Sequence, residues 1–404
     1  MRADGGRRGG IAAALATLLA LAGCAALPTL PRTAPTPPTL ALTAVGFAAL
    51  PGWDADHLAA ALPAFLAGCR QLPEAAAAAL GGPSAQWQPA CTAAARLAPG
   101  DDAAARAFFE AYFRPYAVGN AKAPAGTRTD ALFTGYFDPE VPGSRTEGGR
   151  YRSPLLGRPP DLVQVDLAPF NPDLKGSSIA GRVQDGRLVP YYDRAEIDAG
   201  VLARRRLELL WLADPVDVFV LQVQGSGRVD LPDGHVVRVT YAGQNGRPYV
   251  PIGRVLADRG QIPLAQVSLA TIRTWLEQHP AQAAEVMAQN PSYVFFREVN
   301  DLQPDEGPPG ALGVPLVPGR SIAVDRAFIP LGAPVFIATT DPLTGTPLQR
   351  LMLAQDIGGA IKGPTRADIF FGWGHAAGQR AGEMRAHGRE YLLLPRPAAS
   401  APGP

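Results

Sequence analysis

The stretch from Leu351 to Gly374, LMLAQDIGGAIKGPTRADIFFGWG, constrains the fold of this chain more than any other. It begins as a strand and leaves Asp356 at the strand's end. A glycine-rich turn follows, then a second strand carrying Asp368 beside Ile369, Phe370 and Phe371. Two carboxylates brought near each other by a Gly-Gly turn can form an acid/base site. Strand-end aspartates also commonly accept backbone N–H bonds in turns, so the residues alone leave both readings open.

A chain of 404 residues implies two domains, or one large domain with appendages. A net charge of +1 gives no reason to propose nucleic acid or an acidic polymer as a partner. With 44 Gly and 42 Pro the composition favours a turn-rich β architecture. Residues 1–24 read as a targeting segment outside the fold: Arg2, Arg7 and Arg8 precede an apolar run from Ile11 to Ala22. At about a dozen residues that run is too short to span a bilayer comfortably. It ends in Leu21-Ala22-Gly23-Cys24, which matches the bacterial lipoprotein box. The match implies lipidation of Cys24, with several acyl chains anchoring the protein to a membrane. Ala25 follows, and the lack of Asp there fits sorting to the outer membrane, on its periplasmic face. The remaining cysteines, Cys69 and Cys91, are an even pair in an oxidising compartment and are expected to form a disulfide; two buried free thiols are the alternative.

Residues 25–51 are rich in Pro, Thr and Leu without helical or strand periodicity, and read as an extended tether. Helices are expected over Asp54–Leu72, Ser84–Leu97 and Asp101–Tyr116, the last with an aromatic stripe of Phe108, Phe109, Tyr112 and Phe113 that reads as core packing. Thr129–Pro139, TDALFTGYFDP, is a β-rich run broken by a glycine. Beyond it the chain is β-like, with one clear helix expected over Arg194–Ala213 and an apolar strand over Val216–Val223. Asp233-Gly234 marks a hairpin between Arg228–Leu231 and Val236–Tyr241. Ser268–His279 and Ala281–Gln289 are helices separated by Pro280. Short strands follow at Tyr293–Phe296, Ser321–Val324, Pro334–Ala338, Gln349–Leu353 and Ala367–Phe371. A helix over His375–His387 and a strand at Tyr391–Leu394 complete the pattern, and 397–404 reads as a disordered tail.

Several motifs combine into a resemblance. Phe133-Thr134-Gly135-Tyr136, Val223-Gln224-Gly225-Ser226-Gly227, Tyr241-Ala242-Gly243-Gln244-Asn245-Gly246, Asn290-Pro291-Ser292-Tyr293-Val294-Phe295-Phe296 and Asp356-Ile357-Gly358-Gly359-Ala360-Ile361-Lys362-Gly363 occur in the order of the lytic murein transglycosylase A (MltA) family. From about Leu132 to Leu394 the chain resembles that family, whose C-terminal 3D region is named for three aspartates, here Asp325, Asp356 and Asp368. The resemblance implies a mainly β fold with N-terminal helices. A discontinuous double-psi β-barrel domain would take 52–137 plus 290–396, a second inserted β domain 138–289, and a substrate groove would lie between them. It also implies cleavage of the MurNAc–GlcNAc β-1,4 bond of peptidoglycan glycan strands. The sugar's own C6 hydroxyl attacks and leaves a 1,6-anhydro-MurNAc end.

Such a reaction can run on one carboxyl where ordinary glycosidases use two. The family places that role, acid then base, on Asp368. Apolar neighbours would raise its pKa and ionised Asp356 would push the same way, whereas Arg366 or Lys362 could lower it. Asp356 is expected to orient Asp368 or hold the Gly358-Gly359 turn, and is the runner-up acid; Asp325 is expected to cap a turn before Pro330. Thr134, Tyr136, Gln224, Ser226 and Ser292 are candidate hydrogen-bond partners for sugar hydroxyl and N-acetyl groups. Gly135, Gly225 and Gly227 would let backbone approach the glycan. Trp373 is a candidate for stacking on a sugar face. No cofactor and no metal is expected, since no His/Cys cluster or EF-hand spacing occurs. Other cell-wall enzymes are among the partners the family suggests. The competing reading is a non-catalytic peptidoglycan-binding protein, or a scaffold tethering membrane to murein.

Overall fold

The computed structural model of the chain describes residues 37–71, 86–171, 174 and 178–396. The leader with Cys24, residues 25–36 of the expected tether, residues 84–85 of the second expected helix and the tail 397–404 lie outside the described residues. From Pro38 onward the described residues belong to one compact unit.

Regular structure starts before the expected end of the tether. β1 (Leu40–Ala44) pairs antiparallel with β2 (Phe113–Asn120), Leu40 opposite Asn120. Short 3-10 turns at Trp53–Ala55 and Leu58–Ala61 lead into α1 (Leu62–Cys69), so the single helix expected over Asp54–Leu72 is broken. α2 (Gln88–Ala94) follows, and a Cys69–Cys91 disulfide ties it to α1. α3 (Asp102–Tyr112) is capped by the Asp101 side chain, which accepts from Ala104 N–H at 2.9 Å. It stops four residues short of Tyr116, because Phe113 turns extended and opens β2, where Pro115 could not donate to a helix. The aromatic stripe is core: Phe65 meets Phe108, Phe109 and Phe113 edge-on at 5.6–5.9 Å.

The first sheet holds eight strands. Besides β1 and β2 these are β3 (Ala131–Asp138), β13 (Ser321–Val324), β14 (Pro334–Thr340), β15 (Pro347–Asp356), β16 (Arg366–Trp373) and β17 (Arg385–Pro395). Because β17 pairs with both β14 and β3, the ring β3–β16–β13–β15–β14–β17 closes on itself as a barrel. Its filling includes Phe133, Ile322, Phe336, Leu351, Ile369 and Leu392, all essentially inaccessible, with α1–α3 packed against it. Closure explains one correction. The expected helix His375–His387 is α9 (Gly374–Glu383) only, since Arg385–Gly388 pair with Thr134–Ala131.

Between β3 and β13 the chain builds a second sheet of six strands. In chain order they are β4 (Glu140–Ser144), β5 (Ser153–Leu156), β9 (Glu208–Leu212), β10 (Ser226–Asp230), β11 (Val236–Gln244) and β12 (Val294–Val299). A bridge from Gly157 to Phe296 joins its two edges. A three-stranded sheet of β6 (Val163–Asp166), β7 (Ser178–Gln184) and β8 (Arg187–Pro190) adjoins it. β12, expected with the barrel, pairs instead with β11.

This insertion is not purely β. α4 (Arg194–Asp198), α5 (Pro215–Gln224), α6 (Ile252–Asp258), α7 (Leu269–Gln278) and α8 (Pro280–Ala288) lie within it. The long helix expected over Arg194–Ala213 is cut to α4 at a left-handed Gly200, and its end becomes β9. The strand expected over Val216–Val223 is α5. Asp214 caps it, Pro215 sits in its first turn and Gly225 ends it at φ 84°. A run of eight that is apolar but for Asp217 and Gln222 suits a buried helix as well as a buried strand, so the caps decide.

Candidate active site

Strand register assembles the site. Ala323 on β13 lies opposite Asp356 of β15 on one side and Asp368 of β16 on the other, and Asp368 lies opposite Thr134 of β3. Residues directly opposite share a face, so Asp356, Ala323, Asp368 and Thr134 form one row across four strands. Ala323 keeps the middle of that row low. Two residues along each strand, Tyr136 and Phe370 pack at a tilt with ring centroids 5.3 Å apart and, with Leu316, Ala323 and Ile361, give the carboxylates an apolar floor.

Each carboxylate has its own set of donors. Thr134 Oγ1 donates to Asp368 Oδ1 at 2.5 Å and accepts from Arg366 Nη2 at 2.8 Å. Arg366 Nη1 donates to the carbonyls of Leu132 and Ala367, so the guanidinium hydrogen-bonds to Thr134 and to backbone rather than to Asp368 itself. Burial holds the Asp368 pKa above the usual carboxylate value, against the Thr134 bond and the Arg366 charge. Asp356 accepts from Tyr136 O–H at Oδ2 and from the Ala311 and Ile357 amides at Oδ1, each at 2.9 Å. Burial lifts its pKa to about 6 despite those bonds, and the Asp368 charge adds to the rise. Asp356 therefore grips three groups, whereas one oxygen of Asp368 has no protein donor in this set. Asp325 caps the turn after β13 through Ala327 N–H and holds the Gly363 amide at 2.8 Å.

The other candidates scatter. Gly135 faces away from the row: a Cβ there would sit 2.6 Å from Phe371 and 2.8 Å from Ala381, so packing of α9, not sugar approach, requires glycine. Gly225 is a helix cap, and a Cβ on Gly227 would collide with Leu221 at 2.0 Å. Gln224 anchors β3 by accepting from Phe137 N–H at 3.1 Å. Ser226 is buried against the Asp138 carboxyl. Ser292 is buried too, its carbonyl accepting from Arg194 at 2.7 Å. The ring of Trp373 is covered by the Arg228 guanidinium 4.1 Å away. Among the described residues no group of three or more His, Cys, Asp or Glu side chains could hold a metal ion, and no helix is long and apolar enough to cross a membrane.

Sequence reasoning missed Tyr249. Burial and, next, the Asp368 charge push its phenol upward, so the field of the acid is felt by a residue of the inserted segment. The strap that carries it, residues 245–251, is held by two buried asparagines. Asn245 donates to the Tyr192 and Pro291 carbonyls and accepts from Tyr293 N–H; Asn290 accepts from Val250 N–H. Two of the sequence motifs thus brace a third residue that no motif singled out.

Known proteins share this fold. Residues 132–297 match the family model of the MltA specific insert domain, and residues 320–394 that of the 3D domain. Membrane-bound lytic murein transglycosylase A of Escherichia coli (strain K12) is 36% identical over 274 residues, a match spanning 66% of each chain. A crystal structure of membrane-bound lytic murein transglycosylase from Agrobacterium tumefaciens superposes with a TM-score of 0.77 at 36% identity, covering 88% of this chain and 98% of that one. Escherichia coli MltA with bound chitohexaose gives a TM-score of 0.61 at 30% identity, covering 90% and 96%. With 98% of such a relative covered at 36% identity, the chain belongs to the membrane-bound lytic murein transglycosylase A family.

Proposed function

We propose that the protein is a lytic transglycosylase that cleaves the MurNAc–GlcNAc β-1,4 bond of peptidoglycan and leaves a 1,6-anhydro-MurNAc end. Asp368 is the acid and then the base. The observation that carries this reading is its carboxyl: raised in pKa by burial, locked at Oδ1 by Thr134, with Oδ2 left for substrate. Protonated at Oδ2, it gives its proton to the glycosidic oxygen as the C1–O4 bond breaks and the electron pair stays on O4. The C6 hydroxyl oxygen then attacks C1, and its proton passes to the Asp368 carboxylate. No water is consumed and the carboxyl ends as it began. The Thr134 bond favours the charged form and so helps the first transfer. Asp356 acts through position: ionised, it fixes Tyr136 and the 311 loop beside the row.

The glycan would run in a groove between the barrel and the inserted domain, an assignment supported by the Asp368 charge being felt at Tyr249 of the insertion. The closed ring, with parallel pairs β13–β15 and β16–β3, fits a double-psi barrel. The lipobox at Cys24 supports a lipid-anchored protein on the periplasmic face of the outer membrane.

Digestion of purified murein sacculi, read by mass spectrometry, tests the reaction. Wild type is expected to release anhydro-muropeptides, lighter by one water than hydrolysis products, and Asp368→Asn none. Sacculus binding without new chain ends would favour a wall-binding protein instead.

A further inference from the structure

Of the thirteen large apolar side chains exposed among the described residues, six lie between Phe170 and Val201, the segment that builds β7 and β8 of the three-stranded sheet. Strand register gathers several of them on one face: Val165 lies opposite Ile179, and Val183 opposite Leu188. Ile179 and Val183 are four residues apart on β7 and so point the same way. The alternate residues of β7 face the protein. Arg182 lies over the Tyr192 ring at 4.5 Å, and Ala180 packs against the cluster of Tyr191, Leu202 and Phe295. The other face is therefore turned outward, with Val183 63% exposed, and Phe170 on the loop after β6 is 77% exposed.

We infer that this face rests on the phospholipid bilayer to which Cys24 anchors the chain, as a second membrane contact beside the lipid. The inference rests on the lipobox reading and is independent of the chemistry at Asp368. Three observations select lipid as the occupant. The first is the tether. Pro37 follows Cys24 by thirteen residues, a reach of at most about 45 Å. A folded unit of this length has a radius of gyration of about 20 Å, so the body stays within about its own diameter of the bilayer. At that effective concentration even a weak contact is occupied. The second is area. A handful of partly exposed side chains offers on the order of a few hundred Å², against about 800 Å² per partner in a stable dimer, which argues against a second copy. The third is charge. Arg182 and Arg187 of the sheet balance Asp166 and Asp185, and the neighbouring turn, tied by Arg205 to Asp161 at 2.6 Å, adds exposed Arg204 and Arg206. Apolar side chains bordered by arginines suit the headgroup region of an anionic leaflet. The strap that carries Tyr249 packs on the inward face, where a Cβ on Gly246 would sit 2.9 Å from that of Ala180. A body resting on the outward face thus holds the strap on the side away from lipid.

The test uses the chain from Ala25 onward, which keeps the whole compact unit and lacks the acylated cysteine. It is expected to sediment with vesicles of phosphatidylethanolamine and phosphatidylglycerol at millimolar lipid. Val183→Asp and Ile179→Asp should each lower the partition coefficient about tenfold, the scale of withdrawing one aliphatic side chain from an apolar phase. Both should release anhydro-muropeptides from free sacculi as wild type does. Leu188→Ser, a milder change on the same face, should lower the partition about threefold and covers the case in which an aspartate disturbs the sheet. Wild type left in the supernatant, or all three variants sedimenting as wild type does, would overturn the membrane contact. A dimer in lipid-free solution that Val183→Asp abolishes would overturn it in favour of a second copy. Absence of anhydro ends from wild type would overturn the transglycosylase reading and leave the vesicle result standing.

Discussion

Asp368 is a strong acid candidate because of what its neighbours decline to do. Arg366 lies two residues away on the same strand face, yet donates to Thr134 and to backbone carbonyls. A direct ion pair would hold the carboxyl ionised and disable it as a proton donor. Through the threonine the arginine instead fixes the hydroxyl's direction, so Thr134 can only donate to Asp368. Replacing Thr134 with Val is expected to lower kcat by up to about 100-fold, the scale of a misplaced catalytic group. It should also move the alkaline limb of the pH–rate profile upward. The sign follows from the Thr134 bond, which favours the carboxylate and lowers its pKa; removing it raises the pKa, so the protonated acid persists to higher pH. Thr134→Ser should keep the limb in place. Loss of rate with an unmoved limb would mean that Thr134 shapes the strand and not the acid.

At the scale of elements, what could be read from the residues depended on whether local chemistry or distant pairing decided the outcome. The hairpin at Asp233-Gly234 and the helices on either side of Pro280 carry their own turn and cap signals, and they form where those signals lie. α5 had its signals too, Asp214-Pro215 and Gly225, but a run of β-branched residues outweighed them in the reading. β1 and the first half of β17 had none, because each is a strand only by virtue of partners about seventy or more than two hundred residues away. The site divides the same way. Asp356 and Asp368 stand out in sequence, while their alignment through Ala323 is a product of strand register and the strap that carries Tyr249 is held by distant asparagines. Gly135 shows the cost of reading a motif as a site. It lies next to Thr134 but on the other face, against Phe371 and Ala381. Gly135→Ala is expected to destabilise the fold by about 1–3 kcal/mol through overpacking. A lower urea midpoint at constant slope would register it, and an unchanged midpoint would return Gly135 to the groove.

On the scale of the whole molecule, two sheets are joined by two chain crossings, and buried ionisable groups lie both at the joint and within the barrel wall. Asp138, where β3 passes into β4, is buried 3.4 Å from Arg228, and burial raises its pKa to about 6. Arg228 also donates to the carbonyls of Pro304 and Glu306 on the returning crossing, so one guanidinium fastens both passages. Glu390, opposite Ile337 in the barrel, is more isolated: it is 1% exposed, neither oxygen has a partner, and burial lifts its pKa from 4.5 to about 8. Between those values the folded protein holds a proton that the unfolded chain has released. Stability must then fall as pH rises across that window, by up to about 1.4 kcal/mol per unit, and level off on either side. Asp138 and Asp356 slope the same way but only up to about pH 6, so from there to about pH 8 the decline belongs chiefly to Glu390. Glu390→Gln, uncharged throughout, should flatten that upper stretch of a urea-derived stability curve and leave only the Asp138 and Asp356 contributions below about pH 6. Curves for wild type and variant that stay parallel above about pH 6 would show that Glu390 ionises in the folded barrel at its ordinary pKa.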